Sequence, residues 1–136
     1  MRYCTRQNVH VDRCASAWLI RRFIDPNAEF VFVEGFDSPP PTDAIPFDMP
    51  SAAWGHQGND CTFETILKLH NLTDPALIQL ARIIHGADIT TDADETLESP
   101  GIDLLFKGLR LIAHDDHQAI EHGSLVLDAL YVALQK

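Results

Sequence analysis

The side chains with the most chemical potential fall between Trp54 and Asp88. There the chain reads W-G-H-Q-G-N-D-C-T-F-E, passes through a helical stretch and closes on I-I-H-G-A-D. His56, Cys61, Glu64, His85 and Asp88 can each ligate a metal. Two imidazoles with two carboxylates make a mixed nitrogen–oxygen set that suits iron, manganese or zinc, whereas copper(I) prefers thiolate and thioether donors. The expected metal ligands are therefore His56, Glu64, His85 and Asp88, with Cys61 a candidate thiol beside them. Glu64, His85 and Asp88 also have plainer accounts. Glu64 in a first turn and His85 in a last turn each complement a helix dipole, and Asp88 can close a turn on its own backbone. His56, in a loop between two glycines, has no such helical reason. A metal with an open coordination position would support redox or hydrolytic chemistry. No G-x-S-x-G, Walker loop or dinucleotide fingerprint is present, so no residue is singled out as catalytic and enzymatic activity stays open.

Two further constellations compete. Arg6, Arg13, Arg21 and Arg22 cluster near the first helix of an acidic chain, and guanidinium groups recognise tetrahedral oxyanions through paired hydrogen bonds. Arg6, Arg13 and Arg22 would then hold a tetrahedral oxyanion; the alternative is internal pairing with Asp12, Asp25 or Glu29. The run His114-Asp115-Asp116-His117, with Glu121, His122 and Asp128, has spacing for a metal across one helical turn. It reads instead as the dipole-favoured start and solvated face of a helix.

These residues must be placed by short elements. Arg2 to Thr5 can open as a strand. Asp12 is a candidate N-cap for a helix carrying Ala15, Trp18, Leu19, Arg22 and Phe23, stopped at Pro26. Ala28 to Val33 alternates and is rich in β-formers, so it predicts a strand that pairs with the first. Ser38 to Asp43 is a proline-rich loop, and Ile45 to Pro50 is irregular or briefly extended. Asp60 or Thr62 starts a helix reaching about His70. Asp74-Pro75 starts another, with Gly86 as its C-terminal cap. Thr90 to Pro100 reads as an acidic loop. Helices from about Ile102 to Ile112 and from Asp115 to Leu134 close the chain, with Gly123 permitting close helix approach. The sum is an α+β fold, mostly helical, with four or five helices and two or three short strands.

Composition bounds the rest. The 136 residues suit a single domain, and 46% hydrophobic with 22% charged residues is a globular balance. A net charge of −10 repels the phosphate backbone and argues against nucleic-acid binding. No apolar run approaches a membrane span, and no signal-peptide core follows Met1, so the expected location is the cytoplasm, without membrane association. Cys4, Cys14 and Cys61 form no C-x-x-C pair; their odd number fits a reducing compartment and argues against a thiolate zinc site. The expected partners are a metal ion or a small oxyanion, and the sequence is compatible with a homo-oligomer.

The runs Thr5-Arg6, Val11-Asp12-Arg13, W-L-I-R-R-F-I-D-P from Trp18 to Pro26 and Pro46-Phe47-Asp48 carry a resemblance. So do His56-Gln57-Gly58, Cys61-Thr62-Phe63-Glu64, His85-Gly86-Ala87-Asp88 and Asp128-Ala129-Leu130-Tyr131. Across nearly the whole chain they are similar to the chromate-resistance (ChrB-type) family. The resemblance implies a bacterial role in chromate or oxidative metal stress. It also implies correspondence to the C-terminal part of a longer chromate-sensing regulator, here expected as a stand-alone chain. Three readings follow: a metal-binding domain, an oxyanion-sensing module, or a non-catalytic interaction domain.

Overall fold

The computed structural model describes residues 1–35 and 37–136, and the side chains of all of these except Thr90 and Asp94. Strand β1 (Arg2–Arg6) has Tyr3, Cys4 and Thr5 buried in succession, the pattern of a strand covered on both faces. It lies between β2 (Glu29–Val33) and β3 (Ala44–Pro46) in a parallel sheet of order β2-β1-β3, with Arg2 opposite both Glu29 and Ala44. Parallel neighbours require a crossover. Between β1 and β2 it is α1 (Val11–Leu19), which widens into a π-helical turn over Ile20–Ile24, where Asp25 N–H donates to Ile20 O at 2.7 Å. Pro26 stops it, as its sequence predicts.

Four more helices follow among the described residues: α2 (Thr62–Leu69), α3 (Pro75–Asp88), α4 (Ser99–Ile112) and α5 (Asp116–Leu134). A 3-10 segment, Thr90–Glu95, links α3 to α4. Helix α1 packs against all four of the others, so Cys14, Ala15, Trp18 and Leu19 are buried at the centre of the core. Phe63, Leu80, Ile84, Phe106 and Leu127 join them. On the other side of the sheet Cys4 packs with Met49 and Ala52, so the loop after β3 folds back over β1. No helix among the described residues is long and apolar enough to cross a membrane.

The mostly helical α+β reading holds, and four local expectations are corrected. Asp12 does not cap its own helix: the N-cap position is His10, and Asp12 sits in the first turn with its carboxylate turned toward α2. Helix α2 is entered from Cys61, between the two expected caps. Gly86 does not end α3, which runs on to Asp88. Its missing side chain instead admits α4: a Cβ there would lie 2.8 Å from Ser99 Cβ, and Ser99 Oγ donates to Ile83 O at 2.9 Å. The acidic stretch from Thr90 to Pro100 is not all loop, because it holds the 3-10 segment and the first turn of α4.

Asp74 caps α3 as expected, accepting from Ala76 N–H at 2.9 Å, and Asp115 caps α5 from just outside it, accepting from Gln118 N–H at 2.8 Å. Gly123 does permit a close approach, since a Cβ there would meet Phe106 Cε1 at 2.9 Å and run into Cys14 Sγ.

Candidate metal centre

The site is built on the start of α2. The first N–H groups of a helix have no partner within it. Here Thr62 N–H and Phe63 N–H both donate to Asp12, to Oδ2 and Oδ1, at 3.0 Å each. Glu64 turns back so that its Oε1 accepts Cys61 N–H at 2.9 Å. Asp12 is almost fully buried, and these charge-assisted hydrogen bonds are what allow a carboxylate there.

The loop after β3 supplies the opposite wall. Phe47 pairs with Trp54 across an isolated bridge, and Asp48 N–H donates to Trp54 O at 2.8 Å. Trp54 is held against the rings of Tyr3 and His70, with centroids 5.6 and 4.9 Å away. Between these anchors Asp48 adopts φ +50°, a left-handed conformation that aspartate tolerates better than most residues. Its carboxylate accepts from Arg13 Nε and from Thr62 Oγ1, each at 2.9 Å. His56 follows, just before a tight turn in which Gln57 and Asp60 pair and Gly58 takes φ +58°.

Three carboxylates meet this imidazole. His56 Nε2 lies 3.3 Å from Asp12 Oδ2, 3.3 Å from Asp88 Oδ2 and 3.5 Å from Asp48 Oδ1. The donor atoms of Asp12, Asp48 and His56 all fall within 4.8 Å of one another. The contacts with Asp12 and Asp48 push the His56 pKa up to about 10. Burial works against the Asp48 charge, but its contacts with His56 and Arg13 outweigh it and lower the pKa. Asp88 is left over. Burial and repulsion from Asp12 and Asp48 push its pKa up to about 7. Three carboxylates face only two cationic groups, His56 and Arg13, and Asp88 carries the imbalance.

A second cluster adjoins it. His85 is buried, with Nδ1 2.5 Å from Glu64 Oε1 and Nε2 2.7 Å from Asp92 Oδ2. Burial opposes its charge, but the contacts with Asp92 and Glu64 outweigh it and raise its pKa. Cys61 Sγ lies within 4.8 Å of the Glu64 and His85 donor atoms; burial and then the Asp12 charge raise its thiol pKa. His56, Glu64, His85 and Asp92 all line one open cleft of about 710 Å³.

Of the four ligands expected from sequence, the structure brings His56 to Asp88, and separately Glu64 to His85. Asp12, Asp48 and Asp92 are not among the ligands expected from sequence. Asp12 reads locally as a cap, Asp48 lies in a run with no periodic signal, and Asp92 is one acid among many. The P-F-D run, noted only for its resemblance, was the available signal for Asp48. The arginines are distributed. Arg13 is engaged by Asp48 and by the carbonyls of Arg6 and Gln7, at 3.3 and 3.0 Å. Arg22 lies 3.6 Å from Asp128 and over the Tyr131 ring, lining a different cleft from the one Arg6 shares with His56. The expected internal pairing of arginines occurs, but Arg13 and Arg22 take Asp48 and Asp128 rather than Asp12, Asp25 or Glu29. In the His114–Asp128 group, Asp116 accepts Val9 N–H at 2.8 Å and Asp128 accepts Trp18 Nε1–H at 2.9 Å.

Comparison with known proteins places these residues in a wider group. Residues 3–134 match the family described as ChrB, C-terminal domain. Protein ChrB of Cupriavidus metallidurans is 37% identical over 130 residues, which is 95% of this chain and 39% of that protein. The chain thus spans well under half the length of this curated relative. No solved structure matches it. The chain belongs to the ChrB C-terminal domain family, the chromate-resistance family that its W-L-I-R-R-F-I-D-P and C-T-F-E runs resemble.

Proposed function

We propose that this domain binds a divalent transition metal through His56 Nε2 with Asp12 and Asp48, Asp88 adding its charge beside them, and that it serves the cell's response to chromate or oxidative metal stress. The observation that carries this reading is that the donor atoms of His56, Asp12 and Asp48 all lie within 4.8 Å of one another, with His56 Nε2 3.3 and 3.5 Å from the two carboxylates. Donors about 2.0–2.2 Å from one tetrahedral ion stand roughly 3.3–3.6 Å apart. The 2.5 and 2.7 Å contacts of His85 are too short for such edges and have the lengths of charge-assisted hydrogen bonds. Glu64, His85 and Asp92 therefore act beside the metal rather than on it.

One imidazole among carboxylates suits manganese, iron or zinc. A divalent ion would also replace the protons that His56 and Asp88 hold in its absence, relieving the imbalance of three carboxylates against two cations. His56 is about half exposed, which leaves a coordination position open to the cleft for redox or hydrolytic chemistry.

The test is elemental analysis of protein purified without a histidine tag, beside His56→Ala and Asp48→Asn. The expected result is near-stoichiometric metal in the wild type, depleted in both variants, with uptake by stripped protein releasing protons into a weak buffer. Protein that holds no metal, takes up none and melts at the same temperature with or without chelator would overturn the reading.

A further inference from the structure

A second concavity lies between the C-terminal half of α2 and the first half of α3. It has a volume of about 460 Å³, walled by Leu67, Leu72, Ile78 and Ala81. That size and lining are typical of small-molecule pockets, which are mostly apolar with a few polar groups to fix orientation. Glu64 and Arg82 stand where this groove meets the His56–His85 cleft, for both residues line both hollows.

The charges at that junction are unequal. Glu64 is committed to Cys61 N–H and to His85, and Lys68 is held by Asp60 at 2.5 Å. Arg82 is exposed and has no hydrogen-bond or ion-pair partner among the described residues, although acidic groups line the same cleft. A guanidinium with its donors open at the end of an apolar groove is complementary to one kind of ligand, an anionic head on an apolar body.

We propose that the α2–α3 groove binds a small amphiphilic carboxylate, its apolar body between Leu67, Leu72, Ile78 and Ala81 and its head on Arg82. The site goes beyond the metal reading and does not rest on it. None of the groove's apolar residues belongs to the His56 cluster, so stripped and loaded protein should bind alike.

Octanoate is the probe, followed by amide and arginine side-chain NMR shifts on the full chain, with 1-octanol as the uncharged analogue and acetate as the head alone. Octanoate should move the signals of Leu67, Leu72, Ile78, Ala81 and Arg82, and acetate should not. Arg82→Ala should weaken octanoate about tenfold while leaving octanol unchanged. Ile78→Ser should weaken both. Ile78 and Arg82 are exposed enough that both variants should keep the wild-type melting temperature. Shifts confined to other surfaces, no binding, or octanoate affinity unchanged in Arg82→Ala would overturn the proposal.

Discussion

The Asp12 carboxylate serves α2 and His56 at once: Oδ2 accepts Thr62 N–H at 3.0 Å and lies 3.3 Å from His56 Nε2. One buried group from α1 thus fixes the start of a helix fifty residues later and one side of the candidate metal centre. Removing it should be felt in the fold even without metal. Asp12→Ala is expected to lower the unfolding free energy of stripped protein by at least about 2 kcal/mol, since two backbone donors lose a charged acceptor. Asp12→Asn, which keeps one carbonyl oxygen, should lose less. Urea denaturation followed by circular dichroism gives both values; an Asp12→Ala loss below about 1 kcal/mol would refute the capping role.

The stripped protein should become less stable as pH rises. His56 is raised from 6.5 to about 10, so its contribution is complete below pH 6.5 and is lost as pH climbs through 10. Asp88 is raised from 3.8 to about 7, so the fold favours its protonated form and that contribution fades between those values. Both effects have the same sign. Melting temperatures from pH 5 to 10 should fall, with His56→Gln flattening the alkaline part and Asp88→Asn the part below neutrality. A melting temperature that rises across this range in stripped protein would contradict the charge arrangement.

The glycines divide by what surrounds them. Gly123→Ala should destabilise by about 1–3 kcal/mol, because the new methyl meets Phe106 and Cys14 in a packed core. Gly108→Ala, where a Cβ meets nothing within 4 Å, should stabilise by up to about 1 kcal/mol through helix propensity alone. Equilibrium denaturation of the pair decides it, and equal effects would mean that the α1–α5 contact is looser than described.

All three thiols should be silent in the native state. Cys4, Cys14 and Cys61 are buried, and burial pushes the Cys14 pKa up to about 12 and raises the other two. A thiol-reactive dye should label none of them without denaturant and all of them with it. Rapid labelling of Cys61 in folded protein would reopen thiolate chemistry in the cleft.

The parts of the fold that could be read from sequence were those governed by neighbours along the chain. The alternation from Ala28 to Val33 marks β2, and Asp74-Pro75 starts α3 through a hydrogen bond two residues away. Where the partner is distant, a local reading goes astray. Asp12 precedes an apolar-periodic stretch as an N-cap does, yet its acceptor duty is to α2. Gly86 follows His85 at the end of a periodic run as a C-cap does, yet it is there to admit Ser99. The site divides in the same way. His56 stood out because no helix explains it, whereas Asp48 and Asp92 acquire meaning only when loops fold across the start of α2.

Three of the first eighteen residues reach across almost the whole chain. Val9 N–H reaches Asp116, Cys14 packs under Gly123, and Trp18 donates to Asp128 more than a hundred residues on. During synthesis, α1 gains the last of its covering helices only once α5 has left the ribosome. Until then Cys14 and Trp18 lack part of their cover, leaving apolar surface open while translation continues. This topology leaves the core around α1 incomplete until α5 is present.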